Sequence, residues 1–146
     1  MAIERFEDLI AWQRARVLCR EIYTTTRIGA FARDFGLANQ IQRSAVSVMA
    51  NIAEGFDRHR PAEFARFLDI AKGSCAEVKS HLYIACDIGY VPEAELTRLL
   101  TLADDTAKVI AGLRRCSGSA ESAKVGSTAT GYRALGTGYP GGGVAG

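Results

Sequence analysis

Histidine, tryptophan and proline are scarce in this chain of 146 residues: it has two, one and three of them. Two histidines leave little room for imidazole chemistry. A di-metal carboxylate bundle needs Glu-x-x-His on two helices. Here Glu77 stands four residues before His81, and Glu63 four residues after His59. Neither spacing recurs, so no metal and no cofactor are expected. No arginine stands a short spacer ahead of either histidine, which removes the pattern of small helical ribonucleases. The four cysteines (Cys19, Cys75, Cys86, Cys116) include no C-x-x-C pair, so zinc-ribbon and thioredoxin readings have no support. Cys19, Cys75 and Cys86 fall on apolar helical faces as small hydrophobes. Cys116 follows Arg114-Arg115 and is expected to be exposed. The nucleophile elbow G-x-S-x-G is missing. With acid, base and oxyanion parts not assembled, the chain reads as a non-enzyme without a small-molecule substrate.

A long apolar run is missing too, so no membrane span is expected. The opening MAIERFEDLI carries three acidic residues and no basic–apolar–small pattern. The expected location is the cytoplasm. Charge of one sign is also lacking. Eighteen basic and sixteen acidic residues leave +2 and a pI near 8.4, short of the strong bias of an obvious nucleic-acid binder.

What is present is apolar content and helical period. The chain is 48% hydrophobic, enough to bury a core. Nine of fifteen glycines fall between Ser117 and Gly146. That stretch has no sustained period and reads as a flexible Gly/Ser-rich tail, residues 117–146. Its Gly136-x-Gly138 pair is not a phosphate loop, because no strand precedes it and no helix is expected after it. Residues 1–116 are the expected domain.

Within 1–116 the spacing predicts four helices and no strand. The first runs from about Phe6 to Thr26, with Ala11, Trp12, Ala15, Leu18, Cys19, Ile22 and Tyr23 on one face. Thr24 to Thr26 weaken helix propensity and an irregular loop follows, about residues 28–35. The third begins at Pro61 and runs to about Ile88, with a seam from Phe64 to Cys86. The fourth runs from Pro92 to about Arg115, with acids in its first turn and arginines in its last, as the helix dipole favours. Prolines 61 and 92 sit where a missing N–H is tolerated. Short loops make neighbours antiparallel, so the expected fold is all-α, an up-down-up-down four-helix bundle.

The second helix, about Gly36 to Phe56, is apolar on two sides. Leu37, Ile41, Ala45, Val48 and Ile52 form a core face. Val46, Met49, Ala50 and Ala53 form another, and Gln40, Arg43, Ser47, Asn51 and Glu54 make a polar stripe between them. A helix apolar on two sides is buried on two sides, and one small domain has only one core. The third helix adds an outward row of Arg66, Ile70, Gly73, Glu77 and Ile84, odd for a monomer. Gly73 costs about 1 kcal/mol relative to alanine in a helix interior, which a packing contact would offset. The polar stripe is either a solvated face or a hydrogen-bonded seam at a subunit border; on the second reading the expected subunit interface is Gln40, Arg43, Val46, Ser47, Met49, Ala50, Asn51, Ala53, Glu54, Ile70, Gly73, Glu77 and Ile84. A homo-oligomer follows.

One basic cluster remains. Arg58, His59 and Arg60 lie in the turn between the second and third helices, with Arg66 further along. Guanidinium groups fork onto phosphate oxygens, which makes these four the candidate nucleic-acid contacts. The alternative is a solvated loop paired with Asp57 and Glu63.

The segments FEDLIAWQRA, FGLANQIQRSAVSVMANIAEG and EFARFLDIAKGSCAEV resemble the signature stretches of the 23S rRNA intervening-sequence protein family. The likeness covers about Phe6 to Leu113. It rests most on Ser47–Gly55, Arg66–Leu68 and Gly73–Glu77. Met49 stands where the family commonly carries a kinking proline. The resemblance implies a four-helix bundle assembled as a homopentamer. Through a relative, the accessory variability protein of diversity-generating retroelements, it implies RNA or a reverse-transcriptase-like partner. The function expected is a non-enzymatic oligomeric adaptor for RNA or an RNA-processing protein. The alternative is a purely structural interaction module with no nucleic-acid role.

Overall fold

The structure is a computed structural model that describes residues 2–122, and side chains as far as Gly118. A single 3-10 turn, Phe6–Asp8, leads into α1 (Ile10–Thr26), α2 (Gly29–Arg33), α3 (Phe35–Asp57), α4 (Pro61–Asp87) and α5 (Glu93–Ser122). The described residues contain no strand. The four long helices form the up-down-up-down bundle that the periodicity predicts. Side-by-side contacts run α1–α3, α3–α4, α4–α5 and α5–α1, which places α1 diagonally across from α4 and α3 across from α5.

Each helix supplies one apolar row to a single core. Leu18 and Ile22 of α1, Ile41, Val48 and Ile52 of α3, Leu68, Val78 and Leu82 of α4, and Leu99 and Ile110 of α5 are fully buried. Burying one such side chain contributes about 1.5–3 kcal/mol, so the shared core dominates the stability of the bundle.

The ends of the helices follow local chemistry. The Asp34 carboxylate accepts the Leu37 N–H at 3.1 Å and caps α3. Pro61 opens α4 at a position where no N–H is needed. Gly89, at φ +87°, takes the left-handed conformation after α4. There Tyr90 donates its N–H to the Ala85 carbonyl at 2.8 Å and its hydroxyl to Asp34 at 3.0 Å. The start of α3 is thereby tied to the α4–α5 turn.

The boundaries differ from the sequence expectation in three places. Helix α1 begins at Ile10 rather than Phe6, because Leu9 is extended and the segment before it is a separate 3-10 turn. The expected loop at residues 28–35 holds the short helix α2, which buries Phe31 against the core. Helix α5 continues beyond Arg115 to Ser122, and Ser117 is buried with its hydroxyl on the Leu113 carbonyl at 3.0 Å. Residues 117–122 thus extend the last helix, and the rest of the expected tail, 123–146, lies outside the described residues. Helix α1 ends at Thr26, as the spacing predicts. Thr26 donates its hydroxyl to the Ile22 carbonyl at 2.8 Å and accepts from the Gln42 amide at 2.8 Å.

Candidate interaction surfaces

Helices α3 and α4 share the apolar core and also meet along a hydrogen-bonded polar row. Ser74 donates to the Ser47 hydroxyl at 2.9 Å, and the Asn51 amide reaches the Ser47 carbonyl and hydroxyl at 2.8 and 2.9 Å. Ser44 lies 3.1 Å from the Glu77 carboxylate and 3.0 Å from the Gln40 carbonyl. Near the end of α3, Gly55 lets Phe67 sit against the bare backbone. A Cβ at Gly55 would lie 2.6 Å from the Phe67 Cβ. The polar stripe read from the sequence therefore divides. Ser47 and Asn51 join the seam between α3 and α4 of one chain, while Gln40, Arg43 and Glu54 are exposed.

Outside that seam the pair presents apolar surface. Val46 and Ile70 are each 42% exposed and Ile84 45%. Ala50 and Gly73 are exposed among them, and Met49 and Ala53 are half-buried. A Cβ added at Gly73 would meet nothing within 4 Å, so no contact inside the chain explains a glycine there.

The α3–α4 turn carries the arginines singled out by sequence. Arg58 donates to Glu54 at 2.8 Å, one helical turn back, and this bond pushes its pKa up. Arg60 lies 3.9 Å from Glu63. Arg58 and Arg66 both approach the Phe67 ring, at 5.5 and 5.2 Å from its centroid, so the structure brings these two together. His59 holds φ +55° and its ring lies 6.2 Å from that of Phe56. The turn is exposed, but two of its arginines already have carboxylates.

A whole-domain charge balance hides a second basic surface. Residues 10–33 hold five arginines and one acid, Glu21. Arg16, Arg20 and Arg27 are exposed, with half-buried Trp12 and Tyr23 alongside. Charge counted helix by helix would have found it.

Two clefts lie at the end of the bundle near α2. One, of about 420 Å³, is lined by Thr26, Arg27, Phe35 and Gln42 among others. The other, of about 370 Å³, includes Tyr90, Glu95 and Arg98. Arg98 is bound by Glu95 at 2.6 Å and Glu21 at 3.1 Å, so its charge is committed. No group of three or more His, Cys, Asp or Glu residues that could hold a metal stands among the described residues. Burial pushes the Cys75 thiol up to about 12, which keeps it protonated and inert. No described helix is long and apolar enough to cross a membrane.

The described residues define an all-helical bundle, four long helices and one short one. The 23S rRNA-intervening sequence protein family matches residues 7–112, and the chain belongs to that family. A crystal structure of a protein of unknown function from the S23 ribosomal protein family of Bacteroides thetaiotaomicron is similar in fold. Its TM-score is 0.63 at 20% identity, covering 69% of this chain and 94% of that one. No curated protein matches the chain.

Proposed function

We propose that the protein is a non-enzymatic, cytoplasmic homo-oligomeric adaptor, a ring of five subunits closed through the outward faces of α3 and α4. It holds RNA or an RNA-processing protein on the assembled surface. The carrying observation is that Val46 and Ile70 are exposed on the same outward side as an unfilled Gly73, with Ile84 exposed further along α4. Exposed apolar side chains on an outward helix face mark an association surface. Small residues at Ala50 and Gly73 allow a second backbone to come close. Arg43, Glu54 and Glu77 put both signs of charge beside the patch, which suits contact between identical chains.

Light scattering on the purified protein tests this. A ring of five gives five times the 15.7 kDa subunit mass. Ile70→Arg should dissociate it while leaving helical circular dichroism intact, because the substitution places an unpaired charge in the interface but not in the subunit core. A wild-type monomer at micromolar concentration overturns the reading. In the same reading the exposed turn of Arg58, His59, Arg60 and Arg66 contacts RNA phosphates, and repetition around a ring raises avidity without new contacts.

A further inference from the structure

Positive charge is concentrated between Ile10 and Arg33, on α1, the turn after it and α2. In α3, α4 and α5 acidic residues outnumber basic ones by one each, whereas Ile10 to Arg33 hold Arg14, Arg16, Arg20, Arg27 and Arg33 against Glu21. Glu21 does not neutralise that stretch, because it is bound to Arg98 of α5 at 3.1 Å. At 100° per residue, Arg16, Arg20 and Arg27 fall within about 40° of one another, opposite the buried Leu18 and Ile22. All three are exposed. Among the described residues Arg20 and Arg27 have no ion pair, and the Arg16 guanidinium lies 5.7 Å over the Trp12 ring. Trp12 and Tyr23 flank the stripe on one side, both half-buried.

Unpaired cations in a row repel one another, so the bare subunit bears a cost that a polyanion would remove. The turn at Arg58 and Arg60 differs, since both arginines there have carboxylates at hand. We propose that the outward face of α1 is a track for a single-stranded polynucleotide. Its phosphates lie along Arg16, Arg20 and Arg27, with bases stacked on the solvent-facing parts of the Trp12 and Tyr23 rings. The three arginines are spaced about 6 and 10 Å along the axis, a repeat that a flexible strand can follow. Guanidinium forks suit phosphate oxygens. The aromatic flank selects the occupant. Unstacked bases stack on aromatic rings without regard to sequence, which an acidic protein segment or an intact duplex cannot do. The stripe lies on the helix diagonal to α4, so it does not compete with Ile70, Gly73 and Ile84 for the same surface. This inference rests on the proposed function only in taking RNA as a partner, and it moves the principal contact from the α3–α4 turn to α1.

The test is anisotropy of a fluorescently labelled oligouridylate with the full chain, across a salt series. Arg16→Glu/Arg20→Glu is compared with Arg58→Glu/Arg60→Glu, which makes the same change in net charge. Light scattering and circular dichroism verify that each variant keeps wild-type assembly and fold. The α1 variant should lose about tenfold or more in affinity and flatten the salt slope by about two ions, while the turn variant stays within about threefold. The chain has one tryptophan, Trp12, so its fluorescence should be quenched by the oligouridylate. A duplex of equal length should bind more weakly and quench less. If the turn variant alone loses binding, the α1 track is wrong and the turn reading survives. If the wild type binds no RNA at low salt, both RNA readings fall while the oligomer stands or falls by light scattering alone. If polyglutamate competes as well as RNA and Trp12 emission does not move, the stripe serves an acidic protein and the proposal is overturned.

Discussion

The α3–α4 pair has an inner and an outer side, and a glycine marks each. Gly55 faces inward, where an added Cβ would sit 2.6 Å from the Phe67 Cβ and 3.2 Å from Phe64. Gly73 faces outward, where an added Cβ would meet nothing within 4 Å. Both carry the same helix penalty, about 1 kcal/mol relative to alanine. Inside, the penalty is offset by an approach of the two helices that the fold itself displays. Outside, nothing in the subunit offsets it. The difference teaches that the fold of one chain accounts for the seam but not for the outer face. In the proposed assembly, the account of Gly73 comes from a neighbouring chain.

Filling the inner glycine should have the largest effect. Gly55→Ala drives a Cβ into the Phe67 Cβ, an atom held close to its own backbone, so α4 must move as a unit. The expected loss is about 1–3 kcal/mol despite alanine's better helix propensity, read as a lower urea midpoint. A midpoint equal to or above wild type would show that the seam has slack.

Filling the outer glycine should work in opposite directions at two levels. In an Ile70→Arg background, which isolates the subunit, Gly73→Ala should raise stability by about 0.8–1 kcal/mol. In the wild-type background it should weaken assembly, measured as a higher dissociation midpoint by light scattering on dilution. A variant that stabilises the subunit and leaves assembly untouched would remove Gly73 from the interface.

The hydrogen bonds of the seam come next. Ser74→Ala removes the donor to Ser47, which keeps its bonds from Asn51. The expected cost is about 0.5–1.5 kcal/mol in chemical denaturation. Ser80→Ala, on the exposed surface of the same helix, should change stability by less than about 0.5 kcal/mol. Equal effects at both serines would mean that the seam contributes packing alone.

The fold was legible because nearly every core contact repeats at three- or four-residue intervals. Ile41, Ala45, Val48 and Ile52 were read from spacing and are buried to completion. Helix ends were less legible, and for physical reasons. Thr26 is both the expected and the observed last residue of the first helix, but its hydroxyl bonds to a carbonyl one turn back and to Gln42 of another helix are invisible to local propensity. Helix α2 escaped because one buried residue, Phe31, fixes it and five residues show no period. The outer faces were only half legible. Ile70 and Ile84 stood out as apolar residues on the wrong side. Ser47 and Asn51 lay on the same stripe as Arg43 and Glu54, and helical spacing alone could not place them on the seam with α4. The arginines of α1 were lost in a net charge near zero, because electrostatic patches depend on where the acids sit and not on how many there are.

The smallest effect belongs to the edge opposite the seam, where α1 meets α5 through charge. Arg98 bridges Glu95 on its own helix and Glu21 on α1. The hydrogen bond from Arg98 holds the Glu95 carboxyl below its ordinary value of 4.5. A carboxyl lowered on folding adds stability that is fully present above the unfolded pKa and is lost as pH falls through the folded one. The window therefore opens near pH 4.5 and closes below it. These side chains are 32% and 49% exposed, so solvent screening keeps the contribution below about 1 kcal/mol. Glu95→Gln should lower the urea midpoint slightly at neutral pH. The gap to wild type should shrink as pH drops below 4.5, since the wild type then loses the same charge, and high salt should shrink it at any pH. A gap that stays constant from neutral pH down to pH 3 would mean that Glu95 acts through packing. The contrast between an edge held by exposed ions and a seam held by close backbones would then not hold.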